Sequence, residues 1–311
     1  MVDLIGLIFT FYAVFTWALA SLVYKAGLEK TEPKANLFFR LCCVSLGTFI
    51  FSLIFGSYHI FNILNKPELI FYLIASLISG LSVTVGDLLY YMSLKKIDAS
   101  RAYPLVQLSL IFIFPFSVFL FGEKLKISIL LGGILFLLSV FILSSKDKIE
   151  RNESKESITD KKSEDVILGV VLALSAAFLW AVAILSFNQA RILSDDVFIT
   201  NFLRVFMACI IFSPLGLFYP VYYSGFKKEN RKYLKSFIYI GIAGILSLGF
   251  ADTLYYKAAE INGLILTSVI SINTPILNQI FSVIFLKEKF RKRFFIAVCL
   301  IILGNYIVLF F

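Results

Sequence analysis

The sequence has few of the residues that enzymes and metal centres use. Only 16% of the 311 residues are charged, and the chain contains one histidine and four cysteines. A nucleophile needs a base beside it, and no Cys/His cluster with the spacing of a zinc site accompanies the single histidine, His59. The sequence therefore predicts no catalytic residues, no metal site and no cofactor.

Sequence motifs for nucleotide binding are missing as well. No G-x-x-x-x-G-K-[ST] loop that would hold nucleotide phosphates occurs, and the polar stretches are too short to form a soluble motor domain. If the chain moves a solute, it must use a concentration gradient instead of ATP hydrolysis.

Hydrophobic residues are what the chain has in excess. They make up 59% of it, with a mean hydropathy of +0.90, whereas a soluble domain carries about 45–50%. A membrane-spanning helix needs about 20 mostly apolar residues. Ten such stretches lie at approximately 4–25, 36–56, 69–94, 99–121, 127–144, 166–190, 197–221, 236–257, 263–286 and 294–311. The sequence therefore predicts an all-α integral membrane protein with ten transmembrane helices.

The chain also repeats itself. Four landmarks recur at offsets of 163 to 165 residues, namely Trp17, Arg40, Asp87 and Glu123, which are matched by Trp180, Arg204, Asp252 and Glu288. Each copy contains five apolar stretches, an odd number, so the second copy must cross the membrane in the opposite direction. We therefore expect two inverted five-helix repeats around a central cavity, as in many secondary transporters. The repeats are residues 1–145 and 166–311, and the polar residues 146–165 form a flexible linker between them.

The basic residues predict the orientation of the chain. Of the 29 Lys and Arg residues, 22 lie in or beside the loops that follow odd-numbered stretches, and five follow even-numbered ones. Cytoplasmic loops collect Lys and Arg, so we expect the odd loops in the cytoplasm and both termini outside the plasma membrane. This distribution also accounts for the net charge of +9 without a nucleic-acid partner.

A few charged residues lie inside the apolar stretches, where they are costly and usually functional. The topology places Lys25, Arg40 and Asp87 at one membrane face and Arg204 and Asp252 at the other. Each aspartate should pair with the arginine at its own depth, because an unpaired charge in low dielectric is worse. We expect two ionic clusters that act as gates, and their aspartates could also carry protons during the cycle. The alternative is that the clusters hold helix ends together in every state.

Aromatic and amide side chains in the middle of the stretches predict the substrate contacts. Unpaired amides are disfavoured in hydrocarbon, so these side chains should face the protein interior or a wet cavity. A lining of this kind fits a modest-sized organic solute. The candidate substrate-binding residues are Trp17, Tyr90, Gln107, Trp180, Tyr255 and Asn273.

Taken in order, these residues resemble the EamA-like family of the drug/metabolite transporter superfamily. The resemblance rests on Trp17 with Lys25, Arg40, Tyr90-Tyr91, Pro104, the run Phe119–Lys124 and Gly132-Gly133, and in the second copy on Trp180, Arg204, Tyr255-Tyr256, Pro275 and Phe285–Lys289. It implies a ten-helix carrier that moves amino acids, metabolites, nucleotide-linked compounds or drugs, often outward. Asn188 stands where the second copy would need the lysine of the first, and the family's termini are often placed in the cytoplasm, opposite to the charge count here.

Two functions from different classes fit the sequence. The first is a secondary transporter, an exporter of a small organic metabolite, amino acid or drug-like solute by alternating access; its partners are this solute and membrane lipid, and it is a monomer or weak homodimer. The second is an intramembrane enzyme that acts on a lipid precursor, with Asp87 and Lys25 as an acid–base pair. The duplication argues against the enzyme, because catalysis at one face does not require related clusters at both.

Overall fold

The computed structural model describes residues 2–58, 61, 64–144, 160–288 and 293–310. Within these residues the secondary structure is helical, and no strand occurs. His59, linker residues 146–159 and Lys289 lie outside the described residues.

Among the described residues of the first half, five long helices follow one another. They are α1 (Leu4–Leu28), α2 (Pro33–Phe55), α3 (Lys66–Lys96), α4 and α5 (Ile127–Ser144); α4 consists of Ala99–Val106 and Leu110–Phe121, joined by a 3-10 turn at Gln107–Ser109. The local sequence explains several ends. The side chain of Asp3 accepts a hydrogen bond from the backbone N–H of Ile5 at the start of α1, and Asn65 with Glu68 forms a capping box at the start of α3. Gly122 ends α4 in the left-handed conformation, with φ of +63°.

The described part of the second half also has five long helices, two of them interrupted. They are α6 (Asp160–Ser194), α7 (Val197–Phe212), α8, α9 and α10 (Phe294–Phe310). The parts of α8 are Leu234–Gly244, a π-helical stretch at Ile245–Ala251, and Asp252–Asn262; those of α9 are Leu264–Ser271 and Thr274–Leu286. Helix α6 begins at Asp160, inside the segment that the sequence assigned to the linker up to residue 165. Short helical turns from Leu215 to Tyr233 connect α7 with α8.

Within the part of the chain that the structure describes, eight helical segments are long and apolar enough to cross a membrane. They are Leu4–Leu28, Pro33–Phe55, Lys66–Lys96, Ala99–Phe121, Glu164–Ser194, Val197–Phe218, Asn230–Asn262 and Leu264–Leu286. Large apolar side chains on the outside of the bundle fit contact with lipid; Phe119, for example, is 84% exposed. Ile127–Leu143 and Phe294–Phe310 are apolar but shorter, so the count of ten spans stays a prediction.

Contacts between helices fix their relative directions. In α3 and α6, the hydroxyl of Ser93 donates to the Gly169 carbonyl (2.7 Å) and that of Ser79 to the Ala183 carbonyl (2.8 Å), so these helices are antiparallel. In α5 and α10, Gly132 lies beside Val308 and Gly304 lies beside Phe136, which is again antiparallel. In α2 and α8, Cys43 meets Gly241 and Phe51 meets Gly249, so these run parallel. All three relations follow if the chain reverses direction at each successive helix.

Close packing between the halves depends on small residues. A Cβ atom on Gly80 of α3 would overlap the backbone oxygen of Arg204 on α7, so only glycine allows this approach. Hydroxyl groups inside the bundle bind the carbonyl four residues earlier, as Thr84 does with Gly80 (2.7 Å). The result is a well-packed bundle that contains a cavity, and two pairs of oppositely charged residues lie in the wall of this cavity.

Candidate functional site

A cavity of about 120 Å³ lies between the two halves. Both halves contribute to its wall, and the polar members of the lining come from α1, α2, α3, α4, α6, α7, α8 and α9. A single water needs about 10–15 Å³ of such space, so the cavity holds several waters or one small organic solute. The residues with charged, hydroxyl, amide or indole groups are Trp17, Ser21, Tyr24, Arg40, Asp87, Tyr90, Tyr103, Gln107, Ser109, Trp180, Arg204, Ser247, Asp252, Tyr255, Tyr256, Ser268 and Ser271.

Two buried ion pairs stand in this wall. Arg40 Nη2 binds Asp87 Oδ2, and the side chains are 3% and 7% exposed. Arg204 Nη2 donates to Asp252 Oδ2 at 2.5 Å, and the side chains are 1% and 14% exposed. Each aspartate therefore binds the arginine of its own half, and both pairs line the same cavity. Removing either partner of such a pair would leave the other charge buried without compensation.

The two tryptophans connect the halves. Trp17 Nε1 donates to Asp252 Oδ1 at 2.8 Å, and Trp180 Nε1 donates to Asp87 Oδ1 at 3.1 Å. Each aspartate thus accepts one hydrogen bond from the arginine of its own half and one from the tryptophan of the other half. The matching offsets in the sequence show that the two tryptophans are equivalent positions, but nothing in the sequence indicates that each binds the opposite aspartate.

Aromatic rings enclose both arginines. The guanidinium carbon of Arg40 lies 5.2 Å from the ring centre of Tyr24 and 5.3 Å from that of Tyr91. Arg204 lies 4.7 Å from the ring of Phe187 and 5.4 Å from that of Tyr256. Such cation–π contacts stabilise a desolvated guanidinium. Sequence reasoning did not find Tyr24 or Phe187, although both stand seven residues after a landmark tryptophan.

Five of the six candidate substrate contacts line the cavity. Tyr90 and Tyr255 each share a hydrogen bond with a serine, Ser21 and Ser268 respectively, at 2.6 Å. Gln107, in the 3-10 turn of α4, donates from Nε2 to the carbonyl of Ser271 at 3.2 Å. With Trp17 and Trp180, these side chains face a common space; their role in binding a substrate stays a prediction.

Asn273 lies elsewhere. It is not among the residues that line the cavity, and its amide pairs with that of Asn305 on α10, with Asn305 Nδ2 to Asn273 Oδ1 at 2.7 Å and Asn273 Nδ2 to Asn305 Oδ1 at 3.2 Å. The expectation that it contacts the substrate rested on the argument that an amide avoids hydrocarbon and faces the protein interior or a wet cavity. The break instead turns this amide toward a neighbouring helix, where a second amide satisfies it.

Lys25 does not join the Arg40–Asp87 pair. Its Nζ donates to the carbonyl of Leu94 and, at 3.0 Å, to that of Ile97. These carbonyls lie at the end of α3, where the last carbonyls of a helix have no partner within the helix and carry partial negative charge. Lys25 therefore joins the ends of α1 and α3, and it is not among the cavity-lining residues.

The second half has a cation of its own near Asn188. Arg191, one turn later on α6, donates from Nε (3.2 Å) and Nη2 (2.7 Å) to Asn188 Oδ1. A basic group is thus present close to the position where the repeat lacks its lysine. The sequence comparison missed it because it matched single positions and not the surface that neighbouring turns of a helix share.

Comparison with known proteins identifies the family of the chain and proteins that are similar to it. A family model described as the EamA-like transporter family matches residues 4–145 and 167–310, the two copies of the repeat. The chain belongs to this family. An uncharacterized transporter of Archaeoglobus fulgidus is 27% identical over 231 residues, which are 74% of this chain and 73% of the relative. A crystal structure of another protein, 15% identical, superimposes with a TM-score of 0.70 over 98% of this chain and 96% of the other, and so shares the fold.

In this EamA-like transporter, the charged and indole groups of the cavity form hydrogen bonds within and between the halves. The chain is a multi-pass membrane transporter, and its cavity presents two carboxylates, two guanidinium groups and two indole N–H donors that bind one another. The buried Nε of Arg40 has no hydrogen-bond partner among the described residues.

Proposed function

We propose that the transporter is a secondary carrier that exports a small organic solute by alternating access between two inverted five-helix halves. The observation that supports this most is the reciprocal bonding around the cavity, in which each half supplies a tryptophan to the aspartate of the other. A twofold axis that exchanges the halves produces this pattern. Because the helices reverse direction along the chain, the axis would lie in the membrane plane, as in other carriers with inverted repeats.

The size and lining of the cavity favour a small organic solute. A volume of about 120 Å³ admits a small metabolite, amino acid or drug-like fragment, and Trp17, Trp180, Tyr90 and Tyr255 supply flat apolar surfaces with polar edges. A polar group on the solute would compete with tryptophan or arginine for an aspartate oxygen. Binding would then weaken a contact between the halves, which is the differential interaction that a conformational change requires.

In this transport cycle the ion pairs act as gating or coupling groups. Protonation of Asp87 or Asp252 would remove the charge that holds its arginine, so that a proton could substitute for a solute contact. Proton-coupled export follows if one aspartate exchanges its proton on opposite sides of the membrane in the two states.

The orientation follows the distribution of Lys and Arg. We place the transporter in the plasma membrane with both termini outside, because the basic loops follow odd-numbered helices. A reporter enzyme that is active only in the cytoplasm, fused to the C-terminus, should be silent. Activity of this fusion would reverse the assignment.

Solute counterflow tests the carrier function directly. Purified transporter is first screened for solutes that raise its melting temperature, since a ligand that binds the folded form raises apparent stability. Liposomes loaded with an unlabelled hit should then accumulate the labelled solute transiently. Trp17→Ala with Trp180→Ala should abolish this accumulation, while Tyr306→Ala, a lipid-facing change at a 54% exposed residue, should not. Absence of counterflow for every stabilising solute would contradict the proposal.

A further inference from the structure

Two glutamates that repeat in the sequence have no part in the cavity. Glu123 follows the end of α4, and its Oε1 and Oε2 accept hydrogen bonds from the backbone N–H groups of Leu264 (2.7 Å) and Ile265 (2.9 Å), the first two residues of α9. Glu288 follows the end of α9, and its two oxygens accept from Ala99 (3.0 Å) and Ser100 (3.2 Å), the first two residues of α4. Each carboxylate thus binds the start of a helix in the other half.

The physical basis of these contacts is the same at both places. The first N–H groups of a helix have no partner within the helix, and the helix dipole makes this end favourable for a carboxylate. A carboxylate that accepts two such bonds forms charge-assisted hydrogen bonds, which are stronger than neutral ones. Breaking either contact exposes two backbone donors and one carboxylate, so water must be able to reach that end when it opens.

The two contacts lie at opposite ends of the bundle. Glu123 binds beside the end of α8, where Asn262 accepts a hydrogen bond from the backbone of Asp3 at 2.8 Å at the start of α1. Glu288 binds beside the end of α3, where Lys25 from the end of α1 donates to Ile97 at 3.0 Å. Since α1 runs from one end to the other, the cavity lies between the two glutamates, and both glutamate contacts are formed in this structure.

The helices that the glutamates join are both interrupted at the level of the cavity. In α4 the interruption is the 3-10 turn Gln107–Ser109, which follows Pro104. In α9 it lies between Ser271 and Thr274, where the N–H groups of Ile272 and Asn273 bind carbonyls three residues earlier. Proline removes a helical hydrogen bond, and mid-helix turns of this kind often mark hinges. Each half-helix can therefore move while the other half-helix stays in place.

We propose that Glu123 and Glu288 are alternating latches of the transport cycle, Glu123 at the external end and Glu288 at the cytoplasmic end. Opening of one end separates its glutamate from the facing helix start, while the other glutamate stays bound. The segments that move are the parts of α4 and α9 beyond their interruptions. The inference rests on the proposed carrier function and adds the groups that close each end.

Labelling of a cavity cysteine from each side of the membrane tests the latches. The four native cysteines, Cys42, Cys43, Cys209 and Cys299, are replaced by serine, and Ser109→Cys is introduced in the cavity wall. A membrane-impermeant maleimide is applied to right-side-out and inside-out vesicles. We expect Glu123→Gln to speed labelling about tenfold from one side only, and Glu288→Gln to do so from the other; tenfold corresponds to about 1.4 kcal/mol.

A matched control is available in α3. Glu68 also binds a backbone N–H at a helix start, that of Asn65 at 3.2 Å, but within one half, so Glu68→Gln should leave labelling from both sides unchanged. If Glu123→Gln is not recovered in folded form, Glu123→Asp, which keeps the charge and shortens the reach, should give the same sidedness. Unchanged labelling, or acceleration from the same side by both variants, would overturn the latches. If the two variants speed labelling from opposite sides but the protein shows no counterflow, the proposal about the glutamates stands and the carrier function is rejected.

Discussion

The two halves of the transporter hold equivalent arginines in different ways. In the second half, Arg204 donates from Nε to Asn201 Oδ1 at 2.7 Å and from Nη2 to Asp252, and its Nη1 lies 3.5 Å from the hydroxyls of Ser79 and Tyr256. In the first half, Arg40 binds Asp87 through Nη2, and its buried Nε has no hydrogen-bond partner within the described part of the chain. The sequence repeat makes these residues equivalent, but their surroundings are not.

The difference originates in one residue and one change of helix geometry. Asn201 stands where the first half has Leu37, and its Nδ2 donates to the carbonyls of Leu248 (3.0 Å) and Gly249 (2.7 Å) and to Thr253 Oγ1 (2.8 Å). Leu248 and Gly249 lie in the π-helical stretch of α8. A π-helical turn leaves carbonyls with poor partners within the helix, and Asn201 satisfies them while it orients Arg204. Helix α3 has no such stretch among its residues.

This comparison indicates that the two ion pairs have different duties. The Arg204–Asp252 pair is held by a network that includes its own helix, so we expect it to change less during the transport cycle. The Arg40–Asp87 pair has fewer hydrogen-bond partners, so we expect a solute to change it more readily. Four predictions, from the largest expected effect to the smallest, test this division.

Removal of either arginine should destabilise the protein strongly, and the loss should be larger in the second half. Arg204→Met and Arg40→Met each leave a buried aspartate without its cation, which costs about 3–5 kcal/mol. Arg204→Met also leaves Asn201 Oδ1 without its donor, so its effect should lie at the upper end. Unfolding of both variants in detergent micelles, compared at equal protein concentration, measures the difference. Equal losses would contradict the division.

Replacement of Asn201 by leucine gives the second half the residue of the first. Asn201→Leu removes donors from two π-helical carbonyls and an acceptor from Arg204 Nε, and each buried group left unsatisfied costs about 1–3 kcal/mol. We expect a lower melting temperature in micelles and retained counterflow, because no cavity side chain is removed. The control is Leu203→Ala, a nearby change on the same helix that takes away apolar contacts alone. A melting temperature equal to that of the unaltered protein would refute the anchoring role of Asn201.

The aspartates should differ in their effect on the pH dependence of transport. Asp87→Asn and Asp252→Asn both keep the size of the side chain and remove the proton-binding group. If the first-half pair carries the proton, Asp87→Asn should flatten the pH profile of solute efflux, whereas Asp252→Asn should lower the rate without changing the shape of the profile. Efflux from proteoliposomes between pH 5.5 and 8.5, as about six points, gives both profiles. The same flattening in both variants would assign the proton to the two pairs together.

Disulfide formation between two native cysteines tests the contact between α2 and α7. We expect this disulfide to have little effect on stability. Cys42 Sγ and Cys209 Sγ are 3.8 Å apart, and rotation of the side chains can bring them to the bond length of about 2.05 Å. Oxidation by copper phenanthroline and dioxygen should form a disulfide that holds the halves together after cleavage at a protease site inserted in residues 146–159. Cys42→Ser should let the fragments separate on a non-reducing gel. Separation of the unaltered protein would show that α2 and α7 do not meet as described.

Part of the architecture was open to prediction from the sequence. Apolar stretches locate membrane helices because the hydrocarbon core requires their length and composition, and the repeated Trp, Arg, Asp and Glu residues mark equivalent positions. The match of the EamA-like family model to both copies confirms the family that this order of residues resembled. The interruptions of α4 and α9 were signalled only weakly, by Pro104 and Pro275, because proline is common in membrane helices.

The partners of single side chains could not be predicted. The bonds of Trp17 to Asp252 and of Trp180 to Asp87 join residues 235 and 93 positions apart, and they depend on how the halves pack. The positions of Lys25, Asn273 and Arg191 depend on which way each side chain leaves its helix, and hydropathy does not record this direction. The π-helical stretch of α8 has no sequence pattern that distinguishes it from the helix on either side.

The central claim is that one cavity, enclosed by two equivalent halves, opens to both sides of the membrane. The most direct test is the labelling of Ser109→Cys in an otherwise cysteine-free transporter by an impermeant maleimide, applied to right-side-out and to inside-out vesicles, with and without a transported solute. We predict that the cavity cysteine reacts from both sides and that the solute slows both reactions. Labelling from a single side, unaffected by solute, would contradict alternating access.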